Sequence, residues 1–253
     1  MHNVLSNDLL LIEGGHKMDN QKILDEFVRG YYAQLASGVY GKPVPLDPKT
    51  TALVLIDVQE CVTEEYFVEG FKAMGMDVEP LMPALDQLGE NTNKVLKNIE
   101  KILNKCREKG IKPIHIKLGS YLPDAADTGR LHTEAGMFYP PGAPGSDFVP
   151  EAKPLEGEIV LNKTCSGCVV GTNIDRIMRN LHIDSVLVVG FYTDQCVSTA
   201  IRDFRDLGYN VDMIEDAIGA MSQERHERAL QGIQRIYANS ETTEQLLARL
   251  EEL

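Results

Sequence analysis

The stretch GFYTDQCVSTAIRDF, residues 190–204, decides the fold, because a buried strand turns into a helix around one cysteine. The apolar strand SVLVVGF ends at Phe191, just inside this stretch. Apolar residues at helical spacing follow the cysteine: Val197, Ala200, Ile201 and Phe204. A strand that leads directly into a helix is typical of an α/β protein with a parallel sheet.

The thiol of Cys196 is therefore expected at the carboxyl end of a strand and at the amino end of a helix. Unpaired backbone N–H groups and the helix dipole at such a position favour the thiolate over the thiol. The position predicts a nucleophile, whereas a lone cysteine in an arbitrary chain more often only packs in the core. Two further residues favour the nucleophile.

Two charged residues end apolar strands elsewhere in the chain. Asp57 ends the run TALVLID, and Lys163 ends the run GEIVLNK. Such runs are typical of buried parallel strands, whose carboxyl ends meet at the edge of the sheet where ligands bind. The sequence therefore predicts that Asp57, Lys163 and Cys196 converge.

These three side chains together suit hydrolysis through a covalent intermediate. Asp57 takes the thiol proton, Lys163 holds the thiolate, and the thiolate attacks a carbonyl carbon. The proton on Asp57 then passes to a departing nitrogen, which otherwise leaves poorly. Water finally cleaves the thioester, with Asp57 again as the base.

The motifs LVLIDVQ, IVLNKTCSG and VVGFYTDQCVSTAIRD occur in this order, and with them the chain resembles the isochorismatase-like cysteine hydrolases. This superfamily includes nicotinamidases, N-carbamoylsarcosine amidases, ureidoacrylate amidohydrolases and biuret hydrolases. The resemblance covers roughly residues 48–250. It implies that Asp57, Lys163 and Cys196 form a catalytic triad.

The resemblance also implies a cis peptide bond between Phe191 and Tyr192. Non-proline cis bonds are rare and cluster at active sites. The implied role of this bond is to aim the backbone N–H of Tyr192, together with that of Cys196, at the developing oxyanion.

The order of elements predicts a three-layer α/β/α, Rossmann-like fold with a mainly parallel sheet of about six strands. We assign this hydrolase domain to residues 48–253. Residues 1–47 are predicted to form an N-terminal helical arm, because residues 19–38 carry apolar side chains at helical spacing. The arm is expected to pack on the domain or on a neighbouring subunit.

Within the domain, further strands are expected at residues 111–119, in GEIVLNK, in SVLVVGF and in YNVDMIEDA. An amphipathic helix is expected to end at Gly110, another to begin at Thr172 or Asn173, and a third to span residues 223–233. The segment ETTEQLLARLEEL is predicted to close the chain as a helix.

Residues 120–157 are rich in glycine, proline and acids and have no clear periodicity. A loop of this length inside a compact domain is usually functional. We expect it to cover the sheet edge and shape the pocket, with Tyr121, Phe138 and Tyr139 as candidate wall residues. An ordered surface loop or a subunit contact is the alternative.

Cys165 and Cys168 form a C-x-x-C pair just after Lys163, and Cys61 follows Asp57. A zinc site needs two more ligands of suitable spacing, and the sequence has no second such pair. Thioredoxin chemistry places the pair after a different strand pattern. All three cysteines are therefore predicted to line the substrate pocket.

No catalytic metal and no other cofactor is expected. In the resembled superfamily, nicotinamidases hold a divalent ion on an Asp-x-His pair and a further histidine, and this chain lacks such a pair in the corresponding region. His115 falls in the second predicted strand, and His132 stands alone in the long loop. The resemblance therefore argues against nicotinamide as the substrate, and Cys196 argues against the vinyl-ether-cleaving isochorismatases, which lack this cysteine.

The net charge of −13 argues against a nucleic-acid or anionic-membrane partner. The longest apolar runs are far shorter than the roughly 20 residues that span a bilayer. An odd number of cysteines, five, agrees with reduced thiols and a cytoplasmic location. The resemblance implies a homo-oligomer, a tetramer or a dimer.

The sequence thus predicts a metal-independent cysteine amidohydrolase that cleaves a linear C–N bond of a small molecule. The expected substrates are small amide or ureido compounds of the ureidoacrylate, biuret or N-carbamoyl amino acid type. A nicotinamidase-type amidase, a non-catalytic protein and a thiol-redox protein on the same fold are the alternatives.

Overall fold

A computed structural model describes residues 43–253, together with Lys22, Leu24 and Phe27. Those three residues are helical, and the rest of the predicted arm up to residue 42 lies outside the described residues. The packing of the arm and the domain boundary at residue 47 therefore stay predictions. None of the described helices is both long and apolar enough to cross a membrane.

In the described part of the chain, six parallel strands form one sheet in the order β3-β2-β1-β4-β5-β6. The chain runs outward from β1 to β3 and then returns to the other side of β1. The order therefore reverses between β1 and β4, where an open α/β sheet leaves a crevice for ligands. The strands are β1 (Thr51–Ile56), β2 (Lys112–Leu118), β3 (Ile159–Lys163), β4 (Ser185–Phe191), β5 (Asn210–Gly219) and β6 (Asn239–Glu241).

Helices cover both faces of this sheet. The helices of the described chain are α1 (Glu64–Ala73), α2 (Met82–Lys109), α3 (Arg130–Glu134), α4 (Cys168–Gly171), α5 (Ile174–Asn180), α6 (Ser198–Asp206), α7 (Gln223–Ile233) and α8 (Thr243–Glu251). Successive residues of β1 face opposite layers. Val54 packs in the core cluster with α4 to α7, and Leu55 packs in the cluster with α2 and α8. Burial on both faces explains why the strands are continuous apolar runs, and the predicted three-layer α/β fold is confirmed.

Several elements differ from the sequence prediction. The helix before Gly110 begins at Met82, whereas only the second half of the segment at residues 80–110 was predicted to be helical. Gly110 ends this helix in the left-handed conformation, at φ 78°. The helix α1 was not predicted. The loop at residues 120–157 contains α3 and a short 3₁₀ helix at Pro150–Ala152, so it is partly ordered in helical turns.

Gly190 allows β4 to approach β1 closely near Ile56, the last residue of β1. Its φ is +121°, and a Cβ there would lie 2.0 Å from the carbonyl oxygen of Ile56. We expect Gly190→Ala to lower the free energy of unfolding by about 3 kcal/mol, because it adds a backbone clash to backbone strain. Chemical denaturation measures this loss.

Gly208→Ala is the matched control. Gly208 also has a positive φ, +92°, but a Cβ there meets no heavy atom within 4 Å. Gly208→Ala should therefore lower the free energy of unfolding only by the backbone strain, about 1–2 kcal/mol. Equal losses at the two positions would show that the β1–β4 approach does not require a glycine.

Candidate active site

The structure brings Asp57, Lys163 and Cys196 into contact at the carboxyl edge of the sheet. The ammonium nitrogen of Lys163 lies 2.9 Å from Asp57 Oδ2 and 3.4 Å from Cys196 Sγ. The three residues are 7%, 0% and 8% exposed. One buried cation therefore contacts both a carboxylate and a sulfur.

Asp57 is placed by the abrupt end of β1. Its N–H donates to the carbonyl of Ile116 in β2 at 2.9 Å, and its φ is +52°, which is unfavourable for a non-glycine residue. The backbone thus turns sharply at this residue. Its second oxygen, Oδ1, is buried and has no hydrogen-bond partner among the described residues. This oxygen is free to accept a proton.

Lys163 ends β3, where Leu118 of β2 pairs with it. Its ammonium also donates to the carbonyl of Cys165 at 3.1 Å, so three acceptors surround the three N–H bonds. Burial lowers the pKa of Lys163, but the Asp57 carboxylate and the Cys196 sulfur more than offset this and leave the pKa above its usual value. The lysine is therefore charged at neutral pH.

Cys196 lies in a short helical turn, Thr193–Val197, between β4 and α6. The peptide bond between Phe191 and Tyr192, at the entrance to this turn, is cis. The N–H groups of Gln195 and Val197 both donate to the carbonyl of Tyr192, at 2.9 and 3.2 Å. The turn thus holds the cysteine directly above the end of β4.

Burial and the neighbouring carboxylate oppose the effect expected of the helix end on the Cys196 thiol. Burial first, and then the Asp57 carboxylate, raise the pKa of the thiol to about 12. Lys163 and the hydroxyl of Ser166, 3.5 Å from the sulfur, lower it, but by less. Desolvation and a neighbouring negative charge both disfavour the thiolate. The thiol therefore keeps its proton at neutral pH and needs an adjacent base.

This pKa has a measurable consequence for alkylation. The rate at which iodoacetamide labels Cys196 should rise about tenfold per pH unit from pH 7 to pH 10 without levelling, because only the thiolate reacts. Asp57→Asn should speed the labelling at pH 8 by about tenfold, since it removes a charge that raises the pKa. Peptide mapping with mass spectrometry measures both rates.

Cys106, buried in the α2 core layer, gives the internal reference for this experiment. Burial alone raises the pKa of its thiol to about 12. Its labelling should be the same in both proteins. Slower labelling of Cys196 in Asp57→Asn would contradict the assignment of Asp57 as the neighbour that raises the thiol pKa.

Two of the candidate pocket residues, Cys61 and Tyr139, lie together near Asp57. The Tyr139 hydroxyl accepts a hydrogen bond from the Tyr66 hydroxyl at 3.4 Å, and the Cys61 thiol is close enough to raise the pKa of Tyr139. Burial, and after it the Asp57 charge, raise the pKa of Cys61 to about 12. The long loop thus brings Tyr139 against the segment that follows β1.

The other candidates have different surroundings. Cys165 is half-buried and donates to the carbonyl of Gly167 at 3.4 Å, whereas Cys168 packs fully buried in the core. Both are free thiols. Tyr121 and Phe138 are 64% and 49% exposed, and the Tyr121 hydroxyl donates to the carbonyl of Asn162 beside Lys163.

Sequence reasoning missed two buried residues beside the site. Gln59 is fully buried, donates to the carbonyls of Leu118 and Ser146 at 3.0 Å each, and accepts from the N–H of Leu118. It ties the long loop to the end of β2, and its place in LVLIDVQ was the available signal. His132 in α3 is 5% exposed and close enough to Lys163 and Asp57 for both charges to affect its pKa. No sequence signal places this histidine.

Across residues 43–253 and the three described arm residues, no group of three or more His, Cys, Asp or Glu side chains is arranged to hold a metal ion. His115 is fully buried, and its Nε2 lies 2.9 Å from Glu158 Oε2. Burial lowers the pKa of His115 despite this carboxylate. The Glu158 carboxylate therefore occupies the His115 Nε2 atom in a structural contact.

The Isochorismatase domain family model matches residues 51–245, which include all three contacting residues. The chain belongs to the isochorismatase family. It is therefore a hydrolase of this family, as the resemblance of its motifs implied.

Individual members of the isochorismatase family agree with this assignment. The chain is 28% identical to the ureidoacrylate amidohydrolase RutB of Caulobacter segnis over 193 residues, which are 70% of this chain and 75% of that protein. It is 28% identical to the isochorismatase family protein YrdC of Bacillus subtilis (strain 168) over 169 residues, 67% of this chain and 73% of that protein. A cysteine hydrolase from Pseudomonas syringae pv. phaseolicola 1448A has the same fold, with a TM-score of 0.67, 22% identity and coverage of 83% of this chain and 98% of that one.

Proposed function

We propose that this isochorismatase-family hydrolase is a metal-independent cysteine amidohydrolase. Its substrate is a small amide or ureido compound, in which it cleaves a linear C–N bond through a thioester intermediate. The observation that carries the proposal is the buried contact of Lys163 with both Asp57 and Cys196, at 2.9 and 3.4 Å.

The first half of the reaction forms the acyl-enzyme. Asp57 Oδ1, the oxygen without a partner, takes the proton of Cys196 as the sulfur attacks the carbonyl carbon. Lys163 offsets the charge on the sulfur, and the backbone N–H groups of Tyr192 and Cys196 stabilise the oxyanion. The proton on Asp57 then moves to the leaving nitrogen, the C–N bond breaks, and ammonia or an amine departs.

The second half restores the thiol. Asp57, ionised again, takes a proton from water as the water oxygen attacks the thioester carbonyl. The C–S bond breaks, the acid product leaves, and the proton on Asp57 returns to the sulfur. Because Asp57 acts as base and acid in turn, the raised pKa of Cys196 suits a thiol that gives up its proton only during attack.

Several observations favour this function over the alternatives. The similarity to a ureidoacrylate amidohydrolase supports a C–N bond in a ureido or amide substrate. A complete set of Asp57, Lys163 and Cys196 disfavours a non-catalytic protein. All five cysteines are free thiols, which offers no support for a thiol-redox cycle. We also propose, from the family resemblance, a homo-oligomer in the cytoplasm.

A substrate panel tests the function directly. Ammonia release is measured with ureidoacrylate, biuret, N-carbamoyl amino acids, nicotinamide and simple primary amides, with Cys196→Ala as the control. Turnover of a ureido compound or linear amide that depends on Cys196 supports the proposal. Preferred turnover of nicotinamide would favour the nicotinamidase alternative, and no Cys196-dependent turnover would contradict an amidohydrolase.

Metal independence makes a separate prediction. Activity should survive exhaustive treatment with a chelator, because the proposed steps require only Asp57, Lys163 and Cys196. Elemental analysis of the active protein should find no stoichiometric zinc, iron or manganese. Activity that is lost to the chelator and restored by one of these ions would overturn this part of the proposal.

A further inference from the structure

The turn that carries Cys196, Thr193–Val197, is not a regular helical turn. The backbone of Gln195 leaves the helical conformation inside it, at φ −126° and ψ −108°. The carbonyl of Gln195 accepts the hydroxyls of Ser198 and Thr199 in α6, at 3.1 and 3.0 Å. Because α6 continues directly from the turn, these bonds tie the turn only to its own continuation. The position of the cysteine against its catalytic neighbours therefore depends also on contacts with other elements.

Helix α7 supplies two such contacts through neighbouring residues. The Nδ1 atom of His226 lies 2.9 Å from the hydroxyl oxygen of Thr193, whose side chain is fully buried. Arg225 forms an ion pair with the carboxylate of Asp194. Two successive residues of α7 thus hold two successive residues of the turn, three and two positions before Cys196.

The beginning of α7 is itself anchored. The hydroxyl of Ser222 accepts the N–H of Arg225 at 3.3 Å, and the Ser222 carbonyl accepts the N–H of His226 at 3.1 Å. These bonds cap the helix at its amino end. At its other end, Ile233 packs fully buried in the core. The residues that contact the turn therefore lie in a capped helical turn of an anchored helix.

The bond between His226 and Thr193 is the stronger of the two contacts. The Arg225 side chain is 53% exposed, so solvent screens its ion pair. The Thr193 hydroxyl is inaccessible to water, and loss of its partner leaves a buried polar group unpaired. Burial lowers the pKa of His226 despite the charges of Glu215 and Glu227, so the ring is neutral at neutral pH. Since a hydroxyl both donates and accepts, the bond forms with either neutral tautomer.

We propose that His226 is a positioning residue, whose hydrogen bond to the Thr193 hydroxyl holds the turn so that the Cys196 sulfur stays in contact with Lys163. His226 acts through Thr193 rather than on the reacting atoms. Its effect on turnover rests on the proposed function, in which the sulfur must be aligned with both Asp57 and the substrate carbonyl. A displacement of about 1 Å in a reacting group costs about a hundredfold in rate.

Matched substitutions at the two ends of the bond test this role. Thr193→Val keeps the shape of the side chain and removes the hydroxyl, whereas Thr193→Ser keeps the hydroxyl. We expect Thr193→Val and His226→Leu each to lower kcat by about 10- to 100-fold and to change KM by less than about threefold, because the turn shifts while the long loop that walls the pocket keeps its place. Thr193→Ser and His226→Asn, which puts a polar atom near the position of Nδ1, should recover much of kcat. Steady-state ammonia release measures these values.

The double variant Thr193→Val/His226→Leu separates one shared bond from two independent defects. Each single change removes the same bond, so the double variant should fall no more than about twofold below the worse single variant. Arg228→Ala is the matched control on α7, because Arg228 pairs with Glu224 of the same helix. Its kcat should stay within about twofold of wild type. Losses that multiply in the double variant would overturn the proposal.

Hydrogen exchange distinguishes failure of this proposal from failure of the proposed function, because it needs no substrate. In Thr193→Val and His226→Leu, mass spectrometry should show exchange about tenfold faster in the peptide that spans residues 190–200 and unchanged exchange in β1. Such a local change supports the role of His226 even where the wild-type protein releases no ammonia. The proposal is overturned by wild-type exchange at residues 190–200 in both variants, or by an unchanged kcat in Thr193→Val. It is also overturned by faster exchange throughout the sheet, which would indicate a general loss of stability.

Discussion

Cys196→Ser is expected to lose about a thousandfold or more of the turnover of the best substrate, although serine is nearly isosteric with cysteine. Asp57 already has to deprotonate a thiol whose pKa burial and the Asp57 charge together raise to about 12. A hydroxyl has a still higher pKa and is beyond the reach of a carboxylate base. Steady-state ammonia release measures the loss, and Cys196→Ala should be equally impaired.

The same variant should remove the covalent intermediate. Mass spectrometry of the wild-type protein quenched during turnover is expected to show an adduct on the peptide that carries Cys196, and Cys196→Ser should show none. Cys106→Ala is the matched control, because Cys106 packs in the α2 layer away from the contact with Lys163. Its turnover should stay within about twofold of wild type once stability is allowed for. A Cys196→Ser protein that keeps a tenth of the activity would show that sulfur is not the nucleophile.

The strand ends were predictable because burial on both faces leaves a strong sequence signal. TALVLI and SVLVVGF are fully buried strands, and their charged or reactive followers, Asp57 and Cys196, reach the same sheet edge. Because β1 and β4 are parallel neighbours in the sheet, their carboxyl ends lie side by side. Lys163 ends β3, which β2 separates from β1, so its contact with Asp57 and Cys196 depends also on the long lysine side chain reaching across the sheet edge.

Elements with weak burial escaped the same reasoning. The helix α1 has no fully buried residue, so its apolar periodicity is faint. Strand β6 has only three residues and follows RIYA, where no alternation is long enough to predict a strand. Its pairing with β5 is a tertiary contact that a local pattern does not contain.

The electrostatics of the site were also beyond a local pattern. A helix end predicts a lowered pKa for Cys196, but its burial and the adjacent Asp57 charge come from distant parts of the chain. His132 likewise stood alone in the sequence, and it comes within range of the Lys163 and Asp57 charges because the long loop folds back on Thr164, where the Gly129 N–H donates to the Thr164 carbonyl. Such effects depend on the packed structure.

Asp57→Asn and Lys163→Met should each lower turnover by about two to four orders of magnitude, and the double variant should lose far less than the product of the two. Lys163 contacts both the carboxylate and the sulfur, so either change breaks the same proton-transfer unit. Steady-state kinetics on the two single variants and the double variant give the coupling. Losses that multiply independently would indicate that the two residues act separately.

The stability of the same three variants gives an independent measure of the pair. Each single change leaves one charge buried and unpaired, which costs about 3–5 kcal/mol, whereas the double change leaves no charge at the site. The double variant should therefore unfold at a higher denaturant concentration than either single variant. Additive destabilisation would show that the 2.9 Å contact between Lys163 and Asp57 does not hold the two charges as a pair in solution. The same Lys163 contact pairs the buried charges and holds the Asp57 carboxylate beside the Cys196 sulfur. The double variant should therefore show non-additive losses both in turnover and in the free energy of unfolding.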